Sequence, residues 1–180
     1  MTGSWAIRGL TAGYGSRCAL EPLDLDLPLG CATTVVGPGG SGKTTLLRAL
    51  ANIERPASMW VRGSALPPPE STVLVPQRNR SKTPVDLLPK LRDVSPRAII
   101  MLDEPFVQTP PPSHEELHQH LQELHGHTIL CVTHNLHHSR RLADHVVLLV
   151  DGALVESAPA DDFFERPQHP RTVDFLETGS

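Results

Sequence analysis

At 180 residues and a formal net charge of -4, the chain is long enough for one domain with a buried core and too acidic to offer a general nucleic-acid footprint. Arg78, Arg80 and Lys82 lie close together without interleaved aromatics, so they read as a solvated loop and no nucleic-acid partner is expected. The three cysteines, Cys18, Cys31 and Cys131, are scattered without C-x-x-C spacing, which fits a reducing compartment rather than a disulfide framework.

In chain order, residues 5–10 predict a short strand and residues 11–16, with Gly13 and Gly15, a loop. Residues 23–27 alternate Leu and Asp, the period-two pattern of a half-buried antiparallel strand. An apolar strand over residues 32–36 enters a glycine-rich turn, and a helical run over residues 46–51 leaves it. Residues 59–62 predict a strand closed by Gly63, residues 67–69 a stiff proline connector, and residues 73–75 a short strand ending before Gln77. Residues 78–97 are polar and proline-broken, with one short helix expected between Val85 and Arg92. Residues 98–102 are continuously apolar, as a strand buried on both faces of a parallel sheet should be. Ser113 and Glu116 form an S-x-x-E pattern that predicts a capping box and a helix from there to about His125, stopped by Gly126. A second buried strand over residues 128–132 leads to Thr133, His134 and a helix over residues 136–143. Asp151-Gly152 then predicts a hairpin, and residues 159–176 predict one or two short helices interrupted by Pro167 and Pro170. Together these elements predict a single α/β domain over residues 1–180: a parallel sheet with helices on its faces and a small antiparallel sheet beside it.

The chemistry concentrates in the glycine-rich turn. Gly37, Gly39, Gly40, Ser41, Gly42, Lys43, Thr44 and Thr45 satisfy the phosphate-loop pattern G-x-x-x-x-G-K-[ST] between a strand and a helix. The glycines let backbone N–H groups approach phosphates, and the following helix adds the positive end of its dipole. Lys43 is expected to place its charge on the β- and γ-phosphates, Thr44 its hydroxyl on a magnesium ion, and Thr45 a hydroxyl near the α-phosphate. Hydrolysis also needs carboxylates, and Asp103 and Glu104 follow a buried strand, where open α/β sheets place their ligands. Asp103 is the candidate metal carboxylate and Glu104 the candidate general base. His134, past the next buried strand, can reach the same edge and hold the γ-phosphate, the water and the base. Gln77 could reach the metal or the water, and Tyr14 could stack on an adenine, but on the residues alone the ordinary structural reading of each is the favoured one. Of ten histidines, His114 and His118 share a helical face, with His120, His125 and His127 nearby. Glu115, Glu116 and Glu123 make that helix read as a polar surface rather than a metal site.

The order of Tyr14, the phosphate loop, Gln77, residues 99–104 and His134 resembles that of the motifs of the ATP-binding-cassette (ABC) ATPases, over residues 5–77 and from residue 98 onward. The resemblance implies a P-loop NTPase fold with a RecA-like parallel sheet and ATP and Mg2+ as cofactors. It makes Tyr14 the adenine-stacking aromatic, Gln77 the Q-loop residue, Asp103 and Glu104 the Walker B pair, and His134 the switch histidine. Residues 163–175 are similar to the end of importer-type cassettes, notably those of phosphate uptake. Two departures stand out. Only 26 positions separate Gln77 from Asp103, and no glycine occurs between Ser64 and His125. The helical subdomain is therefore expected to be largely missing, with residues 78–97 its shortened remnant, and an L-S-G-G-Q signature is absent. The S-x-L-D turn of the family is replaced by Phe106-Val107-Gln108-Thr109-Pro110.

In the family, two cassettes dimerise head to tail and each ATP lies between the Walker loops of one and the signature of the other. The resemblance thus implies a second cassette, a heterodimer in preference to a homodimer, and a transmembrane permease subunit as partners. No run approaches the ~18 apolar residues of a membrane span and the N-terminus lacks a charged-then-apolar signal pattern, so the expected location is cytoplasmic, peripheral at the inner face of the membrane, without direct insertion. The alternative is an ATP-dependent regulatory module without useful catalysis.

Overall fold

The computed structural model describes residues 3–52, 55–65, 72–75, 87, 91, 94–95, 98–124 and 126–179. Gln77, the proline connector over residues 67–69 and most of residues 78–97 lie outside the described residues.

Two sheets form. The strands β1 (Ser4–Tyr14), β2 (Arg17–Pro28) and β4 (Met59–Ala65) make an antiparallel sheet in the order β2-β1-β4. The strands β3 (Ala32–Val36), β5 (Thr72–Val75), β6 (Ile99–Asp103), β7 (Thr128–Val132), β8 (His145–Val150) and β9 (Ala153–Pro159) make the larger sheet, in the order β5-β6-β7-β3-β8-β9. Only β9 runs antiparallel to its neighbour there. Every residue of β3 and β6 is buried, because helices or the second sheet cover both faces.

On one face, helix α1 (Lys43–Ala51) lies between the two sheets. Its Leu46, Leu47 and Leu50 are buried with Ile7, Leu20 and Val35, each worth roughly 2 kcal/mol of apolar burial. On the other face pack α2 (Pro105–Gln108), α3 (His114–Glu123) and α4 (Leu136–Leu142), with Leu87 and Leu91 buried among them. A third cluster seats Phe163 of α5 (Ala160–Glu165) and Phe175 of α6 (Pro170–Thr178) against Val36, Val146 and Leu148.

Several expectations need correcting. Residues 11–16 are not a loop: β1 continues to Tyr14, which pairs with Arg17 across the turn at Gly15 and Ser16 and with Met59 of β4. Gly13 misled because its strand role is packing: a Cβ there would fall 2.1 Å from the Arg17 carbonyl oxygen. Gly63 does not close β4, which runs on to Ala65 along β1. The helix expected from residue 46 starts at Lys43, directly after the phosphate loop. The capping box does not form either. Ser113 makes no side-chain cap, because a 3-10 turn over Pro111–Ser113 feeds directly into α3. Pro170 starts α6 rather than interrupting a helix, which suits its fixed φ and missing N–H. Asp151 (φ 51°) and Gly152 (φ 81°) form the expected hairpin turn, both left-handed as a type I′ turn requires.

The strand register sets the site. Asp103 pairs with Val132, and Val132 with Val35, so the C-terminal ends of β6, β7 and β3 finish level at one sheet edge.

Candidate functional site

The phosphate loop follows β3 at that edge. Gly37, at φ 147°, is a position only glycine fits, since a Cβ there would fall 2.0 Å from the Leu149 carbonyl oxygen. Gly42, at φ 96°, precedes α1 under Ala19, whose carbonyl oxygen lies 2.7 Å from where a Cβ would stand. No side chain caps α1 and no acidic residue occupies its first turn, so its leading N–H groups are available to an anion.

Lys43 is only 7% exposed. Its Nζ donates to the carbonyl oxygens of Gly37 and Pro38, each at 2.7 Å, and lies 3.4 Å from Ser41 Oγ. Burial pushes its pKa down, while the charges of Glu104 and Asp103 push it back up. All three ammonium hydrogens are therefore directed at phosphate-loop oxygens, and the contact to Ser41, the longest, is the one an anion displaces at least cost.

Asp103 ends β6 and is 1% exposed. Thr44 Oγ1 donates to Asp103 Oδ1 at 3.0 Å, so a hydroxyl from the phosphate loop and a carboxylate from the next strand but one meet. Two hard oxygens at that spacing fit a magnesium ion that keeps most of its ligands as water and phosphate. Glu104 adopts the left-handed conformation (φ 50°), which costs about 1–2 kcal/mol for a residue with a Cβ. That conformation turns its side chain out of the sheet line, and Glu104 Oε1 accepts from His134 Nδ1 at 2.9 Å. His134 itself is exposed, so the pair stands at the surface of the cleft with the carboxylate buried and the imidazole outward.

One cavity of about 590 Å3 is lined by Tyr14, the whole loop over residues 37–45, Glu104 and His134. Tyr14 Oη lies 3.4 Å from Thr45 Oγ1 and accepts from Arg48 Nη1 at 3.4 Å, which fixes the ring at the cavity's other end. The structure therefore gathers Tyr14, Gly37, Gly39, Gly40, Ser41, Gly42, Lys43, Thr44, Thr45, Glu104 and His134 around one space, with Asp103 buried beneath Thr44. Gln77 lies outside the described residues. Arg17 and Ala19 also line the cavity, and the sequence reading missed both because it dissolved the end of β1 into a loop. A hairpin read through Gly15-Ser16 would have put Arg17 opposite Tyr14.

Behind Glu104, the replaced turn forms α2 and buries Phe106 among histidines. The Phe106 ring stacks on His138 (centroids 3.9 Å) and on His118 (4.3 Å), and His118 Nε2 meets His138 Nδ1 at 2.9 Å. So α3 is not simply a polar surface: His118, 1% exposed, is part of the core. Its Nδ1 is buried without a partner among the described residues, so the proton is assigned to Nε2, which leaves a bare acceptor rather than an orphan donor. Among the described residues no group of three or more His, Cys, Asp or Glu side chains has metal-holding geometry.

Burial, reinforced by Arg141 and the neighbouring histidines, lowers the pKa of both His118 and His138 to about 4. An unfolded histidine takes its proton near pH 6.5. Between about pH 6.5 and 4 the unfolded chain therefore binds more protons than the folded one, and stability falls as pH falls through that window. We expect the melting temperature to drop from pH 7 to pH 5, and the double variant His118→Leu/His138→Leu to show a smaller drop. An equal drop in both proteins would remove the histidine pair as its cause.

The sequence model of the ABC transporter family matches residues 20–125. Over 97% of its length the chain is 26% identical to a sulfate/thiosulfate import ATP-binding protein of Agrobacterium fabrum, covering 68% of that protein. It is 27% identical over 94% of its length to a probable amino-acid ABC transporter ATP-binding protein of Haemophilus influenzae, covering 93% of it. It is 23% identical over 93% of its length to a phosphate import ATP-binding protein of Mycobacterium tuberculosis, covering 86% of it. These alignments run to 237 and 240 positions against a chain of 180, so part of each relative has no counterpart here. With a family match over more than half its residues, on a fold that brings the matched loops to one sheet edge, this chain belongs to the ABC transporter family.

Proposed function

We propose that this chain is the ATP-binding subunit of a membrane importer and contributes one half of a hydrolytic site. As a family member it uses ATP with Mg2+. The observation that carries the hydrolytic reading is the His134 Nδ1 to Glu104 Oε1 contact of 2.9 Å, at the end of the same cavity that holds Lys43. In this reading Tyr14 stacks on the adenine, the loop from Gly37 to Thr45 cradles the phosphates, and Lys43 neutralises the β- and γ-phosphate charge. Thr44, Asp103 and Gln77 would hold the magnesium ion, which supplies charge neutralisation at the transferring phosphate. Glu104 takes the proton of the attacking water, and His134 orients Glu104 through its Nδ1 hydrogen bond.

In this reading the domain is one unit, with residues 78–97 as a shortened remnant of the helical subdomain and 158–180 as a helical tail, the tail supported by α5 and α6. Burial of Leu87 and Leu91 under α2 and α3 supports a remnant that still packs. Without a signature of its own, the chain needs a partner to close its site, which favours a heterodimer with a full-length cassette docked on a permease. That places it peripherally at the inner membrane face; no helix among the described residues is long and apolar enough to cross a membrane. The relatives are named for sulfate/thiosulfate, amino acids and phosphate, so the solute is an open choice among small polar solutes, with the phosphate-like tail favouring an anion.

The test is phosphate release from Mg-ATP by the chain alone and with a signature-bearing cassette encoded beside it. Release is expected to be slow alone and to rise with the partner. Release that stays at background in both would leave the second reading, an ATP-dependent regulatory module.

A further inference from the structure

Among the described residues, the charged side chains that line the nucleotide cavity are Arg17, Lys43 and Glu104. Formally Lys43 and Glu104 cancel, so the net positive charge of this described lining comes from Arg17. Arg17 opens β2 directly after the Gly15-Ser16 turn and pairs with Tyr14. Strand alternation puts Arg17 and Ala19 on one face, and both line the cavity. Cys18, between them, points the other way, its thiol toward the carbonyl oxygens of Leu20 and Ala12. Ala19 in turn lies over Gly42 of the phosphate loop. The face of β2 that carries Arg17 thus runs from the adenine end of the cavity to the loop.

Arg8, Arg140, Arg141 and Arg166 are ion-paired with Asp26, Glu165, Glu115 and Asp162. Arg17, by contrast, makes no side-chain hydrogen bond or ion pair among the described residues. An arginine left without a partner at the rim of an anion cradle has its five donors available, in the planar fork that suits phosphate oxygens.

We propose that Arg17 is a nucleotide-binding residue that grips the α- and β-phosphates from the strand side, opposite Lys43. The assignment rests on the ATP-binding reading above. It places Arg17 on the base-proximal half of the phosphate chain because its strand partner is Tyr14, while Glu104 and His134 stand at the γ-phosphate end.

The test is the dissociation constant of Mg-ATP, Mg-ADP and adenosine, by titration calorimetry, for the wild type, Arg17→Ala, Arg17→Lys and the opposite-face control Cys18→Ala. Loss of one charged hydrogen-bonding contact corresponds to about a tenfold weakening. Arg17→Ala is expected to weaken ATP and ADP by that same factor and adenosine not at all, with Arg17→Lys in between and Cys18→Ala unchanged. Affinities for ATP and ADP within twofold of wild type would overturn the assignment, and so would a loss confined to ATP, which would put the guanidinium at the γ-phosphate. A wild type that binds neither ATP nor ADP would instead sink the ATP-binding reading itself, and the assignment with it.

Discussion

Lys43→Ala is expected to weaken Mg-ATP binding by at least about 100-fold, with little change in fold. The side chain is 7% exposed and spends its donors on two carbonyls of the phosphate loop, so it both shapes the loop and carries the positive charge nearest the phosphates. Removing it does three things at once. It deletes a charge-assisted contact to phosphate worth about 1.5–3 kcal/mol. It leaves the carboxylates of Asp103 and Glu104, whose charges act on Lys43, without their local counter-charge, so they repel the incoming triphosphate. It also frees the Gly37 and Pro38 carbonyls to point at the ligand. Titration calorimetry on the purified variant reads the loss, and far-UV circular dichroism checks that the α/β fold persists. An affinity within threefold of wild type would mean that the ligand does not lie along the loop.

Glu104→Gln carries the second large effect, on turnover rather than on binding. In the presence of the signature-bearing partner it should lower phosphate release by about 10²–10⁴-fold, the range over which a positioned general base contributes. The amide is nearly isosteric, and its oxygen can still accept from His134 Nδ1, so the cavity and the left-handed turn at residue 104 should survive. What is lost is basicity. Mg-ATP affinity should therefore stay within a few-fold of wild type, or tighten, because one negative charge leaves the lining. Phosphate release equal to wild type would show that Glu104 accepts no proton, and would favour the regulatory-module reading.

The sequence made legible those parts of the molecule whose local chemistry and global role agree. The runs that became β3, β6 and β7 are mostly apolar because both faces of a parallel sheet are buried, and each is followed by the residues that reach the cavity. Asp151-Gly152 sits at the hairpin because only residues that tolerate positive φ fit that turn. Legibility failed where tertiary contacts override local signals. Gly13 looks like a loop residue, yet it is where Trp60 and the Arg17 backbone approach β1 too closely for a side chain. Ser113 and Glu116 have capping-box spacing, but three prolines ahead of them dictate a 3-10 turn. His118 looks polar on a polar helix; its burial depends on Phe106 and His138, which are distant in sequence. Most of the candidate residues, which fall in short motifs at strand ends, line one cavity in the structure, while Gln77 lies outside the described residues. Arg17 and Arg48 escaped because each comes to lie beside Tyr14 through the fold alone.

The turn after Glu104 is held from behind. Phe106 is buried against two neutral imidazoles, one on α3 and one on α4, the helix that follows His134. The stack links the segment after Glu104 to the segment after His134, and so joins the two halves of the 2.9 Å contact from behind. Val107 beside it is the most exposed large apolar side chain among the described residues.

The central claim is that the cavity between Tyr14 and Glu104 is an ATP site, and calorimetric titration of the wild-type chain with Mg-ATP, without any partner, tests it most directly. One-to-one binding with a dissociation constant between about 1 μM and 1 mM is the predicted result. No measurable heat at several times the upper end of that range, from a folded sample, would contradict it.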